Sequence, residues 1–219
     1  MTEPTKEVSP YDHQSLSRGA FIKISVVAGV GLTLGVAWRA TKTPGLPFSD
    51  AAFVPNAYLR IDTDGSITIL VDKAEMGQGV STALPQMIAE ELDVSWPDVA
   101  FEFASAHDAY GMMVTGGSTA VMESWEPLRQ AGATARWMLR EAAAQRWGIS
   151  SELLATRDAR VFAPDGSELT YASLASDAAK LRAPNEVEVK KSSEFRLIGQ
   201  SLPRLDVEAK STGQAVFGI

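Results

Sequence analysis

An α+β fold is predicted by three features of this chain. Ala57–Val71 carries the pattern of a β-hairpin, a glycine-bearing turn at 74–80 hands a strand pattern over to a helix pattern, and Ser118–Trp147 is a long stretch of Ala, Met, Leu, Arg and Glu with few breakers. At 219 residues and 45% hydrophobic composition the chain can bury the core of one ordinary domain or one and a piece. Its net charge of −7 leaves no basic stripe to neutralise phosphates, and Lys190-Lys191 is the only adjacent basic pair, so no nucleic-acid partner is expected. The chain has no cysteine, which excludes a disulfide, a thiolate bound to metal and an iron–sulfur cluster ligated by this chain.

Residues 1–40 read as an address. Ser17-Arg18-Gly19-Ala20-Phe21-Ile22-Lys23 precedes an uncharged run from Ile24 to Trp38. At about 1.5 Å per residue that run reaches roughly 22 Å, short of the approximately 30 Å hydrocarbon core of a bilayer. A basic region before a short apolar one is an export signal pattern. Ala37-Trp38-Arg39-Ala40 is a poor cleavage site, so retention as a membrane-surface anchor is the second reading and a buried N-terminal helix the third. Residues 41–56, with Pro44, Gly45, Pro47 and Pro55, read as a linker.

The domain is expected over 57–183. Asp64-Gly65 is a reversal dipeptide between Ala57–Ile61 and Ser66–Val71. Leu84, Met87, Ile88, Glu91 and Leu92 then fall at helical spacing, Val99–Ala104 alternates as a short strand after the Ser95-Trp96-Pro97 turn, and His107–Gly111 reads as a loop. In the longest helix Pro127 is placed in the first turn of its main part with Ser124 as the cap, Leu128, Ala131, Ala135, Met138, Leu139 and Ala142 form a stripe, and Gly148 ends it. The small residues of that face let another backbone pack closely. Arg160–Ala163 and the Pro164-Asp165-Gly166-Ser167 turn predict a second hairpin, followed by a short helix from Leu169 that Pro184 closes. Residues 184–219 begin as an extended, charged arm.

Two segments are candidate sites. Gly77, Gln78 and Gly79 put one amide side chain between two glycines at a helix start, where free N–H groups suit an anion or oxo ligand and Gln78 can donate its NH₂. A tight strand-to-helix turn with an exposed glutamine fits the same residues. Gly116, Gly117, Ser118 and Thr119 can cradle an anionic oxygen through consecutive N–H groups and two hydroxyls, or simply cap a helix. Met112 and Met113 read as packing residues. His107 and Asp108 are sequence neighbours that project differently, with no third member of a triad, so they are not read as an acid–base pair. Glu75, Glu90 and Glu91 have metal-ligand spacing but no accompanying histidine, and carboxylates on a helix face are expected to be solvated. Trp96, Trp125, Trp137 and Trp147 read as core or interface aromatics.

Glu75-Met76-Gly77-Gln78-Gly79 resembles the first cofactor-binding motif of the molybdenum hydroxylases, the xanthine dehydrogenase and aldehyde oxidase superfamily. Thr115–Thr119, Ser124–Arg129 and Ala131–Arg136 are similar to large subunits of the isoquinoline 1-oxidoreductase type, and Phe195–Gly199, Pro203–Asp206 and Ala209–Gly218 resemble the entry to that family's hammerhead domain. The resemblance implies the N-terminal part of a molybdopterin-binding domain at 57–183, then a connecting arm and the start of an α/β hammerhead domain at 184–219.

It further implies that Gln78 hydrogen-bonds an oxygen ligand of molybdenum, and that Gly77, Gly79, Gly116, Gly117, Ser118 and Thr119 contact a molybdopterin in its cytosine dinucleotide form. The metal takes no direct ligand from this chain. The catalytic base, a glutamate, lies in the C-terminal part of such large subunits, so no catalytic residue is assigned here. The implied partners are the remainder of the large subunit, a small [2Fe–2S] subunit and a cytochrome c electron acceptor. The implied reaction is hydroxylation of an aldehyde or N-heteroaromatic compound with water as oxygen source.

Residues 17–23 resemble the twin-arginine export motif with Gly19 in place of the second arginine, implying a periplasmic location. The apolar end at Phe217–Ile219 leads us to expect a truncated or separately completed subunit that is inactive alone. The competing reading is a secreted or membrane-surface binding module without catalysis.

Overall fold

A computed structural model describes residues 53–216; the leader, most of the linker and Phe217–Ile219 lie outside the described residues. Strands β1 (Phe53–Asn56), β2 (Leu59–Ile61), β3 (Ile67–Val71) and β4 (Val99–Phe103) form one sheet in that order. The expected hairpin is β2–β3, antiparallel with Leu59 opposite Ile69, and Gly65 turns it at φ +97°. All five β3 residues are buried, which is the continuous apolar signature of an interior strand. The first strand begins at Phe53, inside the segment read as linker; it pairs irregularly at the sheet edge, where Pro55 is tolerated.

Helix α1 (Val80–Leu92) crosses from β3 to β4, so β3 and β4 run parallel, with Val71 opposite Phe103. Helix α2 (Ala120–Trp147) packs across α1, and the predicted stripe from Leu128 to Ala142 is buried. Gly148 ends α2 in the left-handed conformation. The helix starts earlier than the sequence suggests: Ser124 is buried within it rather than capping it, and Pro127 lies inside it. Proline removes one helical hydrogen bond, and the carbonyl it frees, on Glu123, belongs to the exposed stretch Val121–Glu123. The small-residue face does admit a backbone, since a Cβ on Gly132 would lie 2.6 Å from the carbonyl oxygen of Ile88.

A second, antiparallel sheet holds β5 (Ala155–Arg157), β6 (Arg160–Phe162) and β7 (Glu168–Thr170). Asp158 and Ala159 both take positive φ between β5 and β6, as a two-residue hairpin turn requires. Leu169, expected to start a helix, belongs to β7; helix α3 (Tyr171–Ala178) follows because the Thr170 hydroxyl accepts the Ser173 N–H, and it ends well before Pro184. The Tyr171 hydroxyl donates to the Leu92 carbonyl at 2.8 Å, tying α3 to the end of α1. Residues 195–206 follow α1 back toward its start, and a short helix α4 (Val207–Ser211) comes after them. Trp96 is buried, and Trp125, Trp137 and Trp147 pack half-buried on the core.

Glu90 and Glu91, expected to be solvated, are almost fully buried. Glu91 receives Arg129 Nε at 2.8 Å and the Lys190 N–H at 3.0 Å. Glu90 receives Lys190 Nζ at 2.9 Å and the N–H groups of Arg196, Leu197 and Ile198 at 2.8, 2.6 and 3.0 Å. Burial opposes ionisation of Glu90, but Lys190 and these N–H groups outweigh it and hold the carboxyl below its ordinary range. Asp93 pairs with Lys190, Arg136 and Arg196 at 2.7, 3.3 and 3.3 Å. The charged arm is therefore stapled to α1 by these carboxylates.

Gly132→Val is expected to destabilise the domain by about 1–3 kcal/mol through overpacking against Ile88 and Glu91. Chemical denaturation measures it, and an unchanged midpoint would refute the close approach of α1 and α2.

Candidate functional site

Both candidate loops leave the carboxyl ends of neighbouring parallel strands, since 74–79 follows β3 and 104–119 follows β4. Such ends are where parallel sheets place ligands. The loops meet directly: the Ala74 N–H donates to Thr115 Oγ1 at 2.8 Å, and the buried Lys73 ammonium donates to the Met112 carbonyl at 3.4 Å. The structure thus brings the Gln78 turn and the Gly116–Thr119 turn to the same end of the sheet, beyond the carboxyl ends of β3 and β4.

Gly77 and Gly79 stand at φ +99° and +91°, and Gly79 is the residue from which α1 starts. Glu75, expected to be solvated, instead fills the interior of this turn. One Glu75 oxygen accepts the N–H groups of Gly77 and Gly79 at 2.8 and 2.9 Å; the other accepts the N–H and hydroxyl of Ser81 at 3.0 and 2.8 Å. Burial opposes its ionisation, but these four donors outweigh it and bring the pKa down to about 2. The helix start that the sequence suggests is open to an anion already holds one, the chain's own carboxylate. What the turn offers outward is the Gln78 amide. Its oxygen accepts the Met76 N–H at 2.5 Å and its nitrogen donates to the Ala74 carbonyl at 2.8 Å, and an amide nitrogen carries a second proton.

The second turn is built differently. Gly117 and Ser118 take φ +63° and +58°, and the Thr119 hydroxyl bonds back to the Gly116 carbonyl at 3.3 Å. No side chain caps the start of α2, so the helix end that remains available to an anion is the one beside Gly116, Gly117 and Ser118, all exposed. Around the two turns stand Met76 and Met112, 70% and 79% exposed, with Val114 and Met122. Met112 is thus a projecting residue of an exposed loop rather than the packing residue expected; Met113 lines a cleft of about 580 Å³ with Lys73, Glu75 and Phe101.

His107 is used locally, its Nδ1 accepting the Ala109 N–H at 3.1 Å. Among the described residues no group of three His, Cys, Asp or Glu side chains is placed to hold a metal ion. Arg204 and Asp206 were not anticipated as site residues, although they lie in the quoted Pro203–Asp206 match. Arg204 donates to the Gly77 carbonyl at 3.3 Å and pairs with Asp206 at 2.8 Å, and Asp206 receives the Ser81 hydroxyl at 3.2 Å. The bond from Arg204, opposed by some burial and joined by those from Lys210 and Ser81, holds Asp206 well below the usual carboxylate range.

Glycine turns, an exposed neutral amide, an uncapped helix start and a carboxylate turned inward are chemistry that can receive an oxygen-rich anionic group. The chain matches the molybdopterin cofactor-binding domain across residues 6–217 and belongs to that family. It is 33% identical, over 95% of its length, to the membrane-bound aldehyde dehydrogenase [pyrroloquinoline-quinone] of Gluconacetobacter polyoxogenes. It is 31% identical, over 82% of its length, to the isoquinoline 1-oxidoreductase subunit beta of Brevundimonas diminuta. It spans 28% of the length of each of these relatives. Quinoline 2-oxidoreductase from Pseudomonas putida 86 aligns with 60% of this chain and 18% of its own at 25% identity and a TM-score of 0.46. Among the described residues no helix is long and apolar enough to cross a membrane.

Glu75 titrates below its ordinary 4.5 when folded, at about 2, so its stabilising contribution is whole above pH 4.5 and is lost as the pH falls through about 2. Measured by thermal unfolding across that window, Glu75→Gln is expected to lose pH dependence relative to the unaltered chain. Equal slopes would refute the ionised, loop-capping carboxylate.

Proposed function

We propose that this chain supplies one wall of the molybdopterin pocket in the large subunit of an oxidoreductase that hydroxylates aldehydes or N-heteroaromatic compounds with oxygen from water. The observation that carries the reading is the meeting of the Gln78 turn and the Gly116–Thr119 turn through Ala74 and Thr115. The donor set fits the group: the outward functions are neutral, Gly77 and Gly116 have open space where a Cβ would stand, and Glu75 is consumed within the loop. When bound, the molybdenum centre supplies the two-electron redox chemistry. Gln78 would orient an oxygen of the group with its free amide proton, and the open start of α2 beside Gly117 and Ser118 would hold pterin or phosphate oxygens of the cytosine dinucleotide form, with Thr119 shaping that turn through its N–H and hydroxyl on the Gly116 carbonyl.

These residues include no cysteine to ligate an iron–sulfur cluster; in this reading electrons leave through a small [2Fe–2S] subunit toward a cytochrome c. Residues 1–40 carry the folded protein to the periplasm and anchor it to the membrane surface. The membrane-bound relative's name supports the anchor, and the same name carries pyrroloquinoline-quinone; metal and quinone analysis of the purified complex separates that cofactor from molybdopterin.

In the assembled enzyme Gln78→Ala is expected to fold and to lower turnover about 10²-fold, as loss of one preorganised donor does. Gly79→Val is expected to lower molybdenum content as well, because the position has φ +91° and a branched residue resists it. Unchanged turnover in the first variant or full molybdenum occupancy in the second would sink the assignment. Fusing residues 1–40 to a reporter that matures only in the cytoplasm tests export: the mature reporter is expected outside the cytoplasm, and its retention even when arginine replaces Gly19 would refute the address.

A further inference from the structure

Glu75 sits inside the turn that presents Gln78, only 6% exposed, and each of its oxygens is engaged. It cannot also bind a ligand, so its effect on one must pass through the loop it shapes. Three consecutive features of that loop depend on it: the positive-φ glycines on either side of Gln78 and the first turn of α1 all point N–H groups at this carboxylate. Its other neighbours come from far along the chain. Arg204 reaches Glu75 at 3.5 Å and the Gly77 carbonyl at 3.3 Å, while Asp206 fixes Arg204 and shares the Ser81 hydroxyl with Glu75. The segment that carries this pair is itself held along α1, by Gln86 on the Leu197 carbonyl and by the Leu205 N–H on Thr82 Oγ1 at 3.1 Å.

We propose that Glu75 is a positioning residue for Gln78 and that Arg204 and Asp206 latch its carboxylate, so that the docking of segment 203–206 sets the conformation of the cofactor-facing turn. This rests on the reading of Gln78 as a cofactor-binding residue. An undocked segment would leave Glu75 without its guanidinium and the Gly77 carbonyl without its donor, and the amide of Gln78 would lose its fixed direction. Glu75→Gln sets an amide NH₂ against the N–H of Ser81, donor facing donor, and breaks the cap at one point without removing its bulk. Arg204, at 38% side-chain exposure, can be changed with less risk to folding.

The test uses the complete polypeptide purified with its partner subunits, as Glu75→Gln, Arg204→Gln, Arg204→Lys and Gln78→Ala. Hydrogen exchange is read at Gly77, Gly79 and Ser81 against the α2 core, and molybdenum retention is followed through prolonged dialysis. Faster exchange confined to the three loop amides is expected in Glu75→Gln and Arg204→Gln, with partial recovery in Arg204→Lys and molybdenum retention reduced about 10-fold or more, the range found for residues that orient metal-site ligands. Unchanged loop exchange, or acceleration shared equally by α2, would overturn the proposal and leave Glu75 a general stabilising group; if Glu75→Gln does not fold, Arg204→Gln decides alone. Reduced turnover in Gln78→Ala beside normal retention and exchange in the other variants would refute the latch and keep the cofactor reading. Altered loop exchange in the Glu75 and Arg204 variants with full molybdenum retention and turnover in all four would do the reverse.

Discussion

Carboxylates at both ends of α1 impose the constraint from which the rest of this structure follows. A helix favours negative charge at its N-terminus and disfavours it at its C-terminus, and α1 has no basic residue in its last turn to compensate Glu90 and Glu91 there. Both are buried, and an unpaired buried charge costs several kcal/mol. Cations and N–H groups must therefore be brought to them, and they come from two directions. Arg129 and Arg136 arrive on α2, which fixes how that helix crosses α1, and Lys190 arrives on the charged arm together with the backbone N–H of Arg196. Arg129 also lies 5.0 Å and 5.1 Å from the ring centres of Trp125 and Phe195, so its guanidinium is enclosed by aromatic faces as well as by acid.

The path of the C-terminal segment is a consequence. Once Glu90 has captured the N–H groups of Arg196, Leu197 and Ile198, the chain is aimed back along α1 toward the start of that helix. Trp96 Nε1 on the Pro203 carbonyl and Thr82 on Leu205 keep it there, and Arg204 and Asp206 reach the Gln78 turn. One helix thus carries a structural anchor at its C-terminal end and a candidate site at its N-terminal end, joined by a single stretch of backbone.

What could be read from sequence follows the range of the interaction involved. The Asp64-Gly65 hairpin, the stripe from Leu128 to Ala142 and the Gly148 stop rest on local periodicity and turn geometry, and all three stand in the structure. Strand β5 escaped because Ala155-Thr156-Arg157 has no alternating apolar signal, its order coming from pairing with β6. The burial of Glu90 and Glu91 was not legible, because their partners are 38 and 100 residues away. For the same reason Gln78 and its glycines could be singled out while the role of Glu75 could not: Gly77 and Ser81 are close in sequence, but Arg204 is 129 residues on.

The two helix starts at this end of the sheet divide the site's work. At α1 the N-terminal charge is neutralised internally, because Glu75 occupies the place where an external anion would bind. A second anion could approach that end only against the first, so the turn is left to act through a neutral donor, the Gln78 amide. At α2 no side chain caps the helix, and glycines and hydroxyls line its approach. The cofactor proposed above, with anionic oxygens on one side and a ligand that calls for an uncharged hydrogen bond on the other, would be matched by this pair of turns, and two identical helix starts would not match it. The bond from Ala74 to Thr115 keeps the unlike halves together, and it does so at the carboxyl ends of β3 and β4, where the parallel pairing has already placed them side by side.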